Sequence, residues 1–250
     1  MSANKHPNMI VVGAGKAGTT SLHRYLSSHP RVFGTKEKEL MYFTKHFDKG
    51  PKWLEPHFPE GTDADIFFET TPQYSFRDDF PGVPQRIHEF DPDMKILYVV
   101  REPLSRIVSH FNHWAATKPD KFNNLEKSLS LPEHRKVFVD RTRYHYQISA
   151  YLDVFPTEQV RVVFLEDLKN NFEVTLNSLF EFLGVPQTAA EISPEVFNRG
   201  TDRDIRGPQW RVGNIPPQLR TDIAKELAED VQKLLKHCGK PADYWGQIYL

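Results

Sequence analysis

The sequence is poor in cysteine, in net charge and in long apolar runs, and each shortage excludes a class of protein. Cys238 is the only cysteine among the 250 residues, which excludes an internal disulfide framework and favours a reducing, cytoplasmic location. No stretch approaches the roughly 20 apolar residues of a membrane-spanning helix, so we expect no membrane span. The formal net charge of −1 argues against a general nucleic-acid binder, and any anion site must be a local cluster.

Apolar runs and helical patterns alternate along the chain, which predicts an α/β fold. The length suits one domain, and we expect a single domain over residues 1–250. The alternation indicates a P-loop-type parallel β-sheet flanked by helices on both faces. Residues 48–62 and 187–215, rich in proline, glycine and charge, are expected to be irregular. Strands are predicted at 9–12, 65–70, 94–100 and 159–164, and helices at 19–29, from 103 onward, and at 144–155, 171–183 and 219–237.

A glycine-rich turn joins the first predicted strand to the first predicted helix. Gly13 and Gly18 are five positions apart, as in loops that bind nucleoside triphosphates, and backbone amides at a helix start bind phosphate. In such loops a lysine follows the second glycine. Here Thr19 and Thr20 follow it, and the lysine stands inside the turn as Lys16. The turn therefore suits an anion other than a triphosphate tail, with a ligand-free strand–helix turn as the alternative.

A second cation follows the strongest predicted strand. Arg101 comes directly after the apolar run 94–100, at the strand end where open α/β sheets bind ligands. Ser109 follows eight positions later, about two turns into the next predicted helix. A guanidinium and a hydroxyl in this arrangement can hold a second phosphate, whereas a magnesium–triphosphate site would have an aspartate at the strand end. The structural alternative is an ion pair between Arg101 and Glu102.

The two motifs, in this order and spacing, resemble those of sulfotransferases that use 3′-phosphoadenosine 5′-phosphosulfate (PAPS). Residues 16–22 are similar to the family's 5′-phosphosulfate loop, and residues 100–109 to its 3′-phosphate segment. Residues 38–43 resemble the Lys-Glu-x-His-Phe-Phe segment of the heparan sulfate N- and 3-O-sulfotransferase branch. Residues 69–74 resemble its Glu-Lys-(Ser/Thr)-Pro-x-Tyr segment, and residues 164–168 match a pattern of bacterial members. Met41 and Thr70 depart from the branch, which has histidine and lysine at those positions.

The resemblance implies a sulfotransferase fold, PAPS as the co-substrate, its bisphosphate product PAP, and no metal. Lys16 would neutralise the leaving phosphate oxygen, and Arg101 and Ser109 would hold the 3′-phosphate. Glu39 would act as the general base, with Lys38 beside it. The remaining donor-binding positions implied by the resemblance are Ala17, Gly18, Thr19, Thr20 and Ser21, with Arg203, Arg206 and Gly207 as the expected C-terminal contribution.

The general base has alternatives in the sequence. Taken alone, the run 36–39 is typical of a solvated charged surface. Glu37 is a second candidate carboxylate. Other branches of the family use histidine, so His110 and His113 are candidates as well. Burial of Glu39 behind apolar neighbours would raise its pKa and nearby lysines would lower it, and the sequence does not decide between them.

These features predict that a sulfuryl group moves from PAPS to a hydroxyl or amine of a small-molecule or saccharide acceptor by in-line displacement. Positioned cations would do most of the work, as in phosphoryl transfer. The second hypothesis is a small-molecule kinase on the same turn, which needs a magnesium–triphosphate site for which the sequence offers no residues. The third is a nucleotide-binding module without chemistry.

Overall fold

The computed structural model describes residues 6–58, 63–194 and 215–250. It contains a sheet of five parallel strands: β1 (Met9–Gly13), β2 (Val32–Gly34), β3 (Ile66–Thr70), β4 (Lys95–Val100) and β5 (Val160–Phe164). The helices in these ranges are α1 (Thr19–Ser27), α2 (Val83–Phe90), α3 (Pro103–Thr117), α4 (Leu125–Ser130), α5 (Pro132–Phe138), α6 (Tyr144–Leu152), α7 (Leu165–Asn170), α8 (Phe172–Leu183) and α9 (Pro217–His237).

The chain divides into two compact units, each made of two segments. The first comprises Met1–Val100 and Ile148–Phe197, and the second comprises Arg101–Gln147 and Asn198–Leu250. The first unit contains the whole sheet with α1, α2, α7 and α8, whereas the second contains α3, α4, α5 and α9. Helix α6 contributes residues to both. The organisation of residues 1–250 as one domain stays a prediction.

The sheet of the first unit places β1 at its centre. The strand order is β2-β3-β1-β4-β5, so β1 pairs with β3 on one side and with β4 on the other. All residues of β1 and β3 are buried, in keeping with the near-continuous apolar runs of strands covered on both faces. The chain changes sides of β1 between β3 and β4. The carboxyl ends of these strands therefore form a topological switch point, where open α/β sheets bind ligands.

The second unit is organised around α3 and α9. The carboxylate of Glu102 caps α3 by accepting hydrogen bonds from the amides of Leu104 and Ser105, at 3.2 and 2.6 Å. Asp230 in α9 accepts from the amides of His145 and Tyr146, at 3.0 and 2.8 Å, and so satisfies the first turn of α6. These carboxylates meet helix N-termini, where the helix dipole favours negative charge.

The predicted parallel α/β fold is confirmed, and the long elements lie where the sequence places them. Each predicted strand begins or ends within one residue of its observed bounds. Helix α1 ends at Ser27, two residues before the predicted end. Three short 3-10 turns occur in the segment predicted to be irregular, and they end before residue 58. The elements without a sequence prediction are all short: β2, α2, α4, α5 and α7.

Candidate active site

The glycine-rich turn follows β1 and opens directly into α1. The amide of Ala14 donates to the carbonyl of Val99 at 2.7 Å, which fixes the start of the turn to β4. Lys16 and Gly18 have left-handed backbones, with φ of 69° and 104°. A Cβ on Gly18 would lie 2.7 Å from Cδ1 of Leu165. The left-handed backbone therefore favours glycine at position 18, and a larger residue would also displace the Leu165 side chain.

A lysine reaches the N-terminus of α1. Nζ of Lys38 donates to Oγ1 of Thr20 at 2.7 Å, and Thr20 is the second residue of the helix. The residue that precedes this helix, Gly18, has no side chain with which to cap it. The helix dipole repels a cation here, so the ammonium and the amides together favour a bound anion. Lys16, half-buried, lies in the same turn.

The segment that carries Glu39 is held in an uncommon backbone conformation. Glu39 and Met41 are both left-handed, with φ of 61° and 57°. For residues with a Cβ this conformation is disfavoured and persists where surrounding contacts impose it, often at functional sites. The amide of Glu39 donates to the carbonyl of Thr70 at 2.9 Å, and the amide of Met41 donates to Oγ1 of Thr71 at 3.3 Å. The Glu39 side chain is exposed, so the burial that the sequence left open does not occur.

Beneath this segment lies a buried carboxyl group, Glu69, near the carboxyl end of β3. Its Oε2 accepts from the Thr71 hydroxyl at 2.7 Å, and the side chain is fully buried. Burial raises the pKa of Glu69 to about 7, against the opposing influence of the Tyr74 hydroxyl, the Thr71 hydroxyl and the Leu40 amide, with the Glu39 charge adding to the rise. Oε1 has no well-formed hydrogen bond in the part of the chain that the structure describes.

Sequence reasoning did not single out Glu69 as a functional residue. The available signal was a lone acidic residue in an otherwise apolar strand, Ile66-Phe67-Phe68-Glu69-Thr70, just before the strand ends. A charged residue seldom occupies a fully buried strand position unless it has partners. That signal marks a buried polar group, and it does not reveal which side chains surround it.

Thr70 stands where the branch motif has lysine, and its side chain makes a buried hydrogen bond within the fold. It is fully buried, and Oγ1 lies 2.8 Å from Nδ1 of His23 in α1. Nε2 of His23 lies 3.1 Å from the carbonyl of Thr35. Because a carbonyl can only accept, Nε2 carries the proton and Nδ1 accepts from Thr70. Burial, and secondly the Lys38 charge, lower the pKa of His23 to about 4, so the ring is neutral at pH 7.

In the second unit, Arg101 directly follows β4 and Ser109 lies in α3, as the sequence predicts. Both side chains are half-buried. The carboxylate of Glu102 caps α3 and accepts a short hydrogen bond from the Tyr249 hydroxyl. Glu102 therefore has well-defined partners other than the Arg101 pairing that the sequence left open.

Comparison with known proteins identifies the family. Residues 6–200 match the sequence profile of the sulfotransferase domain. The chain belongs to the sulfotransferase domain family. The family predicted from the residues around Lys16 and Arg101 is thereby confirmed.

Relatives of this sulfotransferase domain include enzymes named for heparan sulfate. Human heparan sulfate glucosamine 3-O-sulfotransferase 3B1 is 30% identical over 186 residues, covering 72% of this chain and 46% of that protein. The bifunctional heparan sulfate N-deacetylase/N-sulfotransferase 1 of Caenorhabditis elegans is 27% identical over 195 residues, covering 72% of this chain and 22% of that protein. The matched region spans less than half the length of either relative.

Solved sulfotransferase structures share the fold. A sulfotransferase from Alicyclobacillus acidocaldarius is 25% identical with a TM-score of 0.76, covering 96% of this chain and 99% of that chain. Mouse sulfotransferase SULT7A1, solved in complex with PAP, is 16% identical with a TM-score of 0.58, covering 94% of this chain and 89% of that chain. The predicted sulfotransferase fold is confirmed.

His110 is buried, with ring centroids 5.5 Å from Trp114 and 5.2 Å from Phe138, which is a core position. Arg203, Arg206 and Gly207 lie outside the described residues. Within the described ranges, no group of three or more potential ligand side chains is arranged to hold a metal ion, and a metal-free reaction stays a prediction. No described helix has the length and apolar character needed to cross a membrane.

Proposed function

We propose that this protein transfers the sulfuryl group of PAPS to a hydroxyl or amine of a small-molecule or saccharide acceptor. The observation that carries the proposal is that Nζ of Lys38 lies at the start of α1, which follows directly on the glycine-rich turn. An ammonium beside a helix N-terminus is unfavourable until an anion lies between them. In a member of the sulfotransferase family, a phosphosulfate group is the anion that fits this turn.

The donor is held through its two anionic ends. The turn from Lys16 to Ser21 binds the 5′-phosphosulfate through backbone amides and hydroxyls. Arg101 and Ser109 bind the 3′-phosphate and so favour PAPS over ATP. Arg203, Arg206 and Gly207 remain the expected C-terminal contribution. After transfer, the same groups hold PAP.

The transfer itself is a displacement at sulfur. The acceptor oxygen or nitrogen forms a bond to sulfur while the bond between sulfur and the bridging phosphate oxygen breaks. The acceptor proton passes to the carboxylate of Glu39, and Lys16 neutralises the charge that develops on the leaving phosphate oxygen. Sulfated acceptor and PAP are the products.

Lys38 supplies a second cation to this reaction. In the branch motif a lysine stands at position 70, where this chain has Thr70, buried and hydrogen-bonded to His23. The ammonium of Lys38, which matches the lysine of the other branch segment, lies 2.7 Å from Oγ1 of Thr20 at the start of α1. There it can stabilise the sulfuryl oxygens as negative charge shifts during transfer.

The acceptor class follows from the family and stays broad. The relatives named above are heparan sulfate enzymes. Met41 stands in place of the histidine of their motif, and it is half-buried, two residues after Glu39. We therefore expect the acceptor to carry a hydroxyl or amine. We expect it to differ from the acceptors of those enzymes in the chemical groups that lie near residue 41. A cytoplasmic location stays a prediction from the cysteine content.

The test is transfer of label from ³⁵S-labelled PAPS to a panel that includes desulfated heparan sulfate, amino sugars and small hydroxylated compounds. Lys16→Ala and Glu39→Gln are each expected to lower the rate about 100- to 1000-fold without loss of folding. Glu37→Gln, which neutralises the neighbouring exposed carboxylate, is expected to retain the wild-type rate. Loss on Glu37→Gln with retention on Glu39→Gln would reverse the assignment of the base.

The same assay separates the two other hypotheses. Magnesium-dependent transfer from ³²P-labelled ATP, with none from PAPS, would establish a kinase and overturn the proposal. Tight binding of PAP without transfer to any acceptor would establish a nucleotide-binding module. Formation of PAP together with a sulfated acceptor supports the sulfotransferase.

A further inference from the structure

The strained segment 39–43 is fixed by three hydrogen bonds to residues at and just beyond the end of β3. The amide of Glu39 donates to the Thr70 carbonyl at 2.9 Å. The amide of Met41 donates to Oγ1 of Thr71 at 3.3 Å, and the amide of Phe43 donates to the Tyr74 hydroxyl at 3.2 Å. Two of these three acceptors are side-chain hydroxyls, so the segment depends on how those hydroxyls are themselves oriented.

Glu69 orients both hydroxyls. An ionised carboxylate can only accept, so the Thr71 hydroxyl must donate to Oε2 at 2.7 Å and present a lone pair to the Met41 amide. The Tyr74 hydroxyl also interacts with Glu69, and each group shifts the pKa of the other. The carboxyl is fully buried and the reaction described above does not use it. A buried carboxyl with one oxygen lacking a well-formed bond is costly, which indicates a role beyond packing.

We propose that Glu69 is a positioning residue, whose buried carboxylate acts through Thr71 and Tyr74 to hold segment 39–43 and thereby aim the Glu39 carboxylate at the acceptor. The inference rests on the proposed function, because it assumes that Glu39 takes the acceptor proton. A neutral carboxyl group can also accept from Thr71, but the carboxylate accepts more strongly, since hydrogen bonds to an ionised acceptor are the stronger ones. The segment is therefore held most firmly once Glu69 has lost its proton.

The titratable groups that face Glu69 come from three elements. They are Glu39 in the strained segment, Tyr74 after β3 and Tyr151 in α6. Burial raises the pKa of both tyrosines well above their ordinary value, so neither loses a proton near neutrality. Glu69 itself titrates near pH 7.

The first test measures the segment directly and needs no activity. Hydrogen exchange of the peptide covering residues 36–46 is compared at about pH 8 between wild type, Glu69→Gln, Thr71→Val and Thr71→Ser. Exchange is expected to be roughly tenfold faster in Glu69→Gln and Thr71→Val than in wild type, with strand β1 unchanged. Thr71→Ser keeps the hydroxyl and should restore protection. Unchanged exchange in both Glu69→Gln and Thr71→Val would overturn the proposal.

The second test measures catalysis against pH. Glu69→Gln and Thr71→Val are expected to lower kcat about 10- to 100-fold with little change in the KM for PAPS, since misplacement of a base has that order of effect. In wild type kcat should rise as Glu69 ionises near pH 7, and Glu69→Gln should lack that rise. If Glu69→Gln keeps the kcat and the pH profile of wild type while Glu39→Gln is inactive, the positioning role of Glu69 is refuted. The assignment of Glu39 as the base would then still stand. An active Glu39→Gln variant would refute the assignment of Glu39 as the base. The hydrogen-exchange comparison would then still test whether Glu69 holds segment 39–43.

Discussion

Glu69 and His23 are two buried titratable residues whose effects on stability oppose each other. The pKa of Glu69 is raised from 4.5 to about 7, so its favourable contribution is complete below pH 4.5 and is lost as the pH rises through 7. The pKa of His23 is lowered from 6.5 to about 4, so its contribution is present above pH 6.5 and is lost as the pH falls toward 4. Between these limits the two dependences largely cancel.

Single substitutions should separate the two contributions. Relative to wild type, Glu69→Gln should gain up to roughly 3 kcal/mol of unfolding free energy as the pH rises from about 4.5 to 7, because it removes the cost of a buried charge. His23→Gln should instead gain unfolding free energy relative to wild type as the pH falls from about 6.5 to 4. Urea unfolding at several pH values measures both. Parallel curves for wild type and Glu69→Gln would contradict the assignment of the Glu69 pKa.

This pH dependence also bears on the positioning role. A variant that is less active because it is poorly folded should be less stable at the pH of the assay. Glu69→Gln is expected to lose activity at the same pH at which its stability rises relative to wild type. That combination is typical of a residue retained for function at some cost in stability.

At the scale of elements, the junction of β1 and α1 depends on a glycine that α7 constrains. Gly18→Ala would place a Cβ in a left-handed backbone and 2.7 Å from Cδ1 of Leu165, the first residue of α7. Gly184, at the end of α8, is also left-handed, but a Cβ there meets no atom of the described chain within 4 Å. The two positions therefore separate backbone strain from steric overlap.

We expect Gly184→Ala to lower the free energy of unfolding by about 1 kcal/mol, the cost of a left-handed residue with a Cβ. Gly18→Ala should cost about 1–3 kcal/mol more, because it also overpacks the contact with Leu165. Urea unfolding midpoints measure the difference. Adding Leu165→Ala to Gly18→Ala should recover part of the loss, and equal stability of the two single variants would argue against the steric contribution.

The elements that could be predicted are those whose pattern extends over several residues. Strands β1, β3, β4 and β5 are continuous apolar runs, and α1, α3, α8 and α9 have apolar residues at helical spacing. Strand β2 has three residues, and it forms because Val32 to Gly34 pair with Ile66 to Phe68. Such an element depends on a partner distant in sequence, which no local pattern reveals.

In the site, too, residues in local motifs could be predicted, whereas contacts between residues distant in sequence could not. Lys16, Gly18, Arg101 and Ser109 were predicted from two motifs, and within each motif the residues lie close in sequence. The bond between Lys38 and Thr20 and the partners of Glu69 depend on how β3 and the segment after β2 come to lie beside α1. These contacts exist only in the folded chain, so neither the pKa of Glu69 nor the role of Thr70 could be read from sequence.

At the scale of the whole molecule, the near-neutral charge requires local recognition of the nucleotide. With a formal net charge of −1, the protein as a whole does not attract a polyanion, so affinity must come from a few cations and amides. If Arg101 holds the 3′-phosphate, affinity for PAP should exceed affinity for AMP, which has only the 5′-phosphate. Ligand-induced shifts in Tm report that difference, because a bound ligand stabilises the folded state in proportion to the logarithm of its concentration over Kd.

In wild type we expect PAP to raise the Tm more than AMP does at equal concentration. Arg101→Ala should weaken PAP binding about 10- to 100-fold, since hydrogen bonds to charged groups contribute about 1.5–3 kcal/mol, and should leave the AMP shift nearly unchanged. Arg31→Ala is the matched control, because Arg31 pairs with Asp65 at 2.5 Å on the surface, where the two side chains are 51% and 42% exposed. It removes the same charge and should keep the preference for PAP. Equal shifts by PAP and AMP in wild type would show that no 3′-phosphate site exists, and the choice of PAPS over ATP would then need another origin.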